Sequence, residues 1–104
     1  MMAAIILCLV VKVLDGATFL SGDRMQIRIA GLEAGARAPK QAQAVLTRLV
    51  LGKTLSCLPA GNEGPFVVAK CALPDGRDLA CTLIAAKAGI RSDAAWRRYG
   101  LKDC

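Results

Sequence analysis

The chain has 104 residues, a net charge of +6 and no histidine. This length holds one domain with a single core, and the lack of histidine excludes imidazole general bases and imidazole metal ligands. Apolar residues make up 55% of the sequence, which excludes a disordered chain, while the basic balance favours either anionic partners or a solvated basic face.

The run from Ala3 to Val11 is continuously apolar. It is too short to span a bilayer. No basic residue precedes it and no small-residue cleavage site follows, so it fits a signal peptide poorly. It passes without punctuation into Lys12, Val13 and Leu14, and reads as a first strand, rich in β-branched residues and buried on both faces. Asp15-Gly16 marks a turn, with Asp15 as its hydrogen-bonding residue, into a second strand through Phe19. SGDR at 21–24 is another turn signal and MQIRIAGL alternates as a third strand, so residues 17–32 read as a hairpin.

Pro39 suits a first helical turn. Ala42, Val45, Leu46, Leu49 and Val50 then follow helical spacing, which predicts an amphipathic helix over 39–51 that stops at Gly52. TLSCL and FVVAKCAL predict two further strands around a loop, PAGNEGP, and PDGR turns the chain again. Asp78 is placed to cap a helix over 79–88, ended by Gly89, and SDAAWRRYG predicts a short last helix capped by Ser92 or Asp93. Strand order and helix placement together predict a mainly β, α+β chain: a five-stranded OB-fold barrel with two to three short helices, spanning 1–104 as one domain.

The five cysteines are dense for so short a chain, and they form no C-x-x-C pair. With no histidine to complete a zinc site, a structural metal is not expected. Disulfides in an exported protein are favoured over buried cytoplasmic thiols. Cys57 and Cys71 face each other if their strands pair symmetrically about Gly64. Pairing of Cys71 with Cys81, or a free Cys71 in the core, stays open.

The segments VVKVLDGATF, IRIAGLEA, LVLGKTLSC and VVAKCALPDGRDLA, with the helix after them, resemble the thermonuclease (staphylococcal nuclease-like) family in order and spacing, over about residues 9–90. That resemblance implies an ancestry in calcium-dependent phosphodiester hydrolysis. Such chemistry needs hard oxygen ligands for the cation, a carboxylate to activate water and cations to hold the charge on phosphorus. The family's second D-G-D-T aspartate, a metal ligand, falls on Ala17. Its third-strand arginine falls on Arg28 and is kept. The aspartate of D-A-P-E falls on Glu33, its proline on Gly35, and its water-activating glutamate on Ala36. The arginine of G-R-x-V-A falls on Phe66. Arg37 has the wrong charge for a base, and Lys70 lies too far along its strand to serve the phosphate that Phe66 has given up.

The resemblance therefore implies a lost calcium site, no cofactor and a catalytically inactive module with a binding or accessory role. A link to exopolysaccharide (succinoglycan) biosynthesis enters through the resemblance alone. The alternative is a calcium-dependent phosphodiesterase with a rearranged site. Arg28 is the expected anion-binding residue, or else pairs with Glu33 in a salt bridge at the barrel mouth. Partners are an anionic polymer or a protein, including a second copy joined through apolar strands. Nucleic acid is weakly supported, because Phe19 and Phe66 read as core and Trp96 and Tyr99 as packing for the last helix.

Overall fold

The computed structural model describes residues 4–33, 39–101 and 104. Five strands, β1 (Ile6–Asp15), β2 (Thr18–Ser21), β3 (Gln26–Ile29), β4 (Thr54–Glu63) and β5 (Phe66–Ala72), close into a barrel in the order β1-β2-β3-β5-β4. All neighbours are antiparallel except β3 and β5, which run parallel. Three helices complete the chain: α1 (Pro39–Val50), α2 (Leu79–Ala85) and α3 (Asp93–Tyr99). The architecture is OB-fold-like.

The core follows from strand alternation. Cys8, Val10 and Val13 of β1, Phe19 of β2, Ile27 and Ile29 of β3, Leu55 and Cys57 of β4, and Ala69 and Cys71 of β5 all point inward and are buried. Leu46 and Val50 of α1 and Leu79 and Leu83 of α2 add to this cluster. Helix α1 sits close to the β1–β2 turn because Gly16 has no side chain: a Cβ there would lie 2.6 Å from the Cβ of Ala42. The turn itself is held by Asp15, whose Oδ1 accepts from the Ala17 N–H at 2.8 Å. Asp78 caps α2 by accepting from the Cys81 N–H, and Ser92 caps α3 by accepting from the Ala95 N–H. Helix α2 ends at Ala85, short of Ala88; Lys87, at φ +57, breaks the helical path before Gly89.

Two expectations are corrected here. The first strand is buried on its inner face only, with Leu7 72% and Leu9 47% exposed on the outer one. Among the described residues nothing covers the outer side of Leu7 and Leu9, which leaves that face bare. The segment PAGNEGP is mostly strand, not loop: β4 runs to Glu63, and only Gly64 and Pro65 separate it from β5. Gly64 supplies the positive φ (+58) that a two-residue hairpin turn needs in its first position.

That turn alone would put Cys57 opposite Ala72. A bulge between Pro59 and Gly61 takes up Ala60, so Pro59 pairs with Ala69 and Cys57 with Cys71. The two cysteines form a disulfide with Cα atoms 4.0 Å apart. The symmetric register about Gly64 thus holds at the cysteines because turn and bulge compensate one another. Cys81 bonds to Cys104, which leaves Cys71 no part in a bridge to Cys81; Cys8 is a free, buried thiol.

Candidate functional site

Arg28 lies on β3 between two register partners, Thr18 of β2 and Val68 of β5. The alternation that sends Ile27 and Ile29 into the core sends Arg28 out onto the barrel flank. Its guanidinium stacks on the Phe66 ring, 4.4 Å from the centroid. Its Nη1 lies 3.9 Å from Oε1 of Glu63, an ion pair too long to be a hydrogen bond. Glu63 and Phe66 are themselves partners on either side of the hairpin turn, so the tip of this hairpin supplies both contacts. The Nε of Arg28 is buried with no hydrogen-bond partner, and so is Oγ1 of Thr18, its cross-strand neighbour.

Helix α3 forms the opposite wall. The chain leading to it is tied to the end of β3: the Ser92 N–H donates to the Gly31 carbonyl, the Glu33 N–H donates to the Ile90 carbonyl, and Leu32 bridges Arg91. Two glycines admit its aromatic residues. A Cβ on Gly31 would lie 3.3 Å from Nε1 of buried Trp96, and one on Gly61 would lie 3.0 Å from Cε1 of Tyr99. The Tyr99 hydroxyl donates to Oε2 of Glu63 at 2.8 Å. Burial and the Glu63 carboxylate both push the Tyr99 hydroxyl above the usual tyrosine range. Arg98 reaches over the outer side of Tyr99, 5.6 Å from the ring centroid.

Between these walls lies a cleft of about 460 Å³, lined by Arg28, Glu33, Glu63, Arg98 and Tyr99 among others. Two cations face two carboxylates, and the guanidinium of Arg28 is oriented by a ring on one side and an acid on another. The arrangement can take up an acidic group against the cleft-facing part of the Arg28 guanidinium.

The positions singled out in the sequence separate clearly. Arg28 and Glu33 share the cleft, but the ion pair that the structure gives Arg28 is with Glu63, not Glu33. The β4–β5 hairpin, whose first strand runs on to Glu63 where the sequence reads as loop, brings Glu63 closer. Phe66 is half-buried and stacked on Arg28; it is no part of the buried core, whereas Phe19 is fully buried. Ala17 is buried, with a methyl group where the resemblance implies a metal-binding carboxylate, and the nearby Asp15 accepts from its N–H. Gly35, Ala36 and Arg37 lie outside the described residues. Trp96 and Tyr99 seat the last helix as expected. Glu63, Tyr99 and Arg98 were missed as site residues. Glu63 was hidden because PAGNEGP reads as a loop, and nothing local in SDAAWRRYG shows that its tyrosine meets a residue 36 positions earlier.

A hard cation such as calcium needs several oxygen ligands converging on one point. The donors present at the family's positions do not fit it: a methyl group at 17, an engaged Asp15 and an exposed Glu33. Among the described residues, no group of three or more acidic, cysteine or histidine side chains is gathered to hold a metal. No helix among the described residues is long and apolar enough to cross a membrane. No protein-family model matches the chain, and no curated protein matches it in sequence.

Proposed function

We propose that the chain is a non-catalytic OB-fold binding module, descended from a thermonuclease-like nuclease, that holds an acidic group of a polymeric ligand in the Arg28 cleft. The carrying observation is Arg28 itself. Its guanidinium is stacked on Phe66, only loosely paired with Glu63, and lines the cleft with its side chain 23% exposed. A carboxylate or phosphate from a ligand pairs with the part of that guanidinium that faces the cleft. Hydrolysis is not supported, because Ala17 and Phe66 supply neither a metal ligand nor a second cation on phosphorus.

Two features favour an acidic polysaccharide over single-stranded nucleic acid. Glu33 and Glu63 line the cleft and repel a closely spaced run of phosphates. The aromatic faces are largely taken up: Phe19 and Trp96 are buried, Phe66 stacks on Arg28, and Tyr99 packs on Gly61 and faces Arg98. A role beside exopolysaccharide synthesis in bacteria follows from the resemblance, and the two disulfides support an oxidising compartment.

The test compares binding of an acidic polysaccharide, DNA and RNA at low and moderate salt, with Arg28→Gln alongside. Binding of the polysaccharide that weakens with salt and falls at least about tenfold in Arg28→Gln supports the reading. No binding of any polymer at low salt, or binding indifferent to Arg28→Gln, overturns it.

A further inference from the structure

The outer face of β1 carries Ile5, Leu7, Leu9 and Val11, exposed by 66%, 72%, 47% and 46%. On the adjoining strand Leu7 pairs with Ser56 and Leu9 with Thr54, and Leu58, 39% exposed, continues the same face. Gly22 flanks it without covering it: a Cβ there would only touch Leu9 and Val11 at 3.8 Å. None of these residues carries a charge, in a chain where 21% of residues do. Scattered exposed leucines need no explanation, but a contiguous uncharged stripe does.

We propose that this face of β1 and β4 is the two-fold interface of a homodimer. The area supports it. The five apolar side chains leave on the order of 500 Å² uncovered, near the upper end of the largest patch a monomer carries. Two copies brought face to face bury on the order of 1,000 Å², which meets the lower bound for a specific interface and sets the dimer among the weaker ones. Chemistry narrows the occupant. A bilayer-binding face carries basic residues at its rim and tryptophan or tyrosine at the headgroup level. Here Lys12 follows the stripe at one end and Lys70 pairs with Leu58 at the other, but no tryptophan or tyrosine stands beside them, since Trp96 and Tyr99 belong to α3. A strongly acidic partner drawn by the +6 charge would be met by basic side chains across the patch, and the stripe has them only at its ends, at Lys12 and Lys70. What matches a flat, uncharged, aliphatic sheet face is another of the same kind, and an isologous contact supplies it with each residue serving twice.

The interface lies on the barrel surface formed by β1 and β4, whereas the Arg28 cleft is built on β3, the hairpin tip and α3, so the two proposals stand or fall separately. Sedimentation velocity from low-micromolar to near-millimolar protein is expected to show a reversible monomer–dimer equilibrium. Leu7→Lys and Leu9→Lys each raise the dissociation constant at least about tenfold. Ser56→Glu, at a position already polar and exposed, weakens the dimer without asking the barrel to tolerate a new charge in place of leucine. Ile90→Lys, an exposed apolar position preceding α3, leaves it unchanged. A chain that sediments as a monomer throughout overturns the proposal. So does a dimer that survives all three interface substitutions, or one lost equally with Ile90→Lys. Co-sedimentation of the monomer with phosphatidylcholine or phosphatidylglycerol vesicles, abolished by Leu7→Lys, assigns the face to membrane instead and also overturns it.

Discussion

Tyr99 donates a 2.8 Å hydrogen bond to Glu63, the residue at the tip of the β4–β5 hairpin that also lies 3.9 Å from Arg28. One contact therefore fixes the last helix against the barrel and sets how firmly Glu63 is held beside the guanidinium.

This contact has a pH signature. The chain has one tyrosine, so tyrosinate absorbance reads Tyr99 alone. Burial and Glu63 raise its pKa above the ordinary value of 10.0. A group whose folded pKa is raised contributes stability that is complete below the unfolded pKa and is lost as pH rises through the folded one. The docking of α3 is thus expected to be indifferent to pH in the neutral range and to weaken above about pH 10. Glu63→Gln moves the tyrosine titration downward. An unshifted titration in that variant contradicts the contact.

Tyr99→Phe removes the donor and keeps the ring against Gly61. Because Glu63 is partly exposed, at 38% of its side chain, the expected loss is about 1 kcal/mol and not the larger value of a buried charged bond. Hydrogen exchange should show the loss concentrated in α3 amides, with those of β1 and β4 unchanged.

Gly31→Ala tests the seat of the same helix. Gly31 sits at φ +97, and a Cβ there would lie 3.1 Å from Leu101 and 3.3 Å from Trp96. Backbone strain and crowding together predict a cost of about 1–3 kcal/mol, read as a lower melting temperature and a red-shifted emission from the single tryptophan.

On activity, no calcium-dependent cleavage of DNA or RNA above background is expected. Cleavage that requires calcium and disappears in Glu33→Ala contradicts this and favours the rearranged phosphodiesterase. Introducing Ala17→Asp, Ala36→Glu and Phe66→Arg together tests whether the site geometry that the resemblance implies is present. The Phe66 change also removes the ring from under Arg28, so a gain in cleavage is expected only with a loss of cleft binding.

The two disulfides should part company under reductant. Cys57–Cys71 is fully buried, while Cys104 is exposed at the other bridge. Mild dithiothreitol is expected to open Cys81–Cys104 first, as judged by mass-resolved alkylation. Loss of Cys57–Cys71, which closes a loop of about 15 residues, costs about 3 kcal/mol and lowers the melting temperature by more than about 10 °C. Burial raises the Cys8 thiol and Asp23 adds to the effect, so Cys8 should resist alkylation until the barrel unfolds.

Most of the barrel was legible in the sequence. Strand alternation, the Asp15 turn, the spacing of Ala42, Leu46 and Val50, and the caps at Asp78 and Ser92 are local signals, and the structure follows each. What escaped depends on partners distant in the chain. Continuous apolarity in residues 3–11 implies two covered faces, and nothing local states that the outer one has no cover. Two Pro and two Gly in PAGNEGP read as loop, yet the hairpin absorbs them through one bulge and one tight turn. Of the cleft, Arg28 and Glu33 were visible, whereas Glu63, Tyr99 and Arg98 are brought there by hairpin length and by the docking of α3.

The bulge at Ala60 makes the hairpin asymmetric towards changes in length. Every pair on its barrel side, Cys57 with Cys71 included, and every pair on its tip side, Glu63 with Phe66 included, is already in register without it. Ala60 is therefore a position where the chain can shorten by one residue and keep both disulfide and cleft. Removing one residue from β5 between Val67 and Lys70 leaves no such slack, because Cys71 then slides past Cys57 and the side chains beyond it exchange inside for outside. Among natural or engineered length variants of this hairpin, single deletions should be tolerated on the β4 limb and rejected on β5.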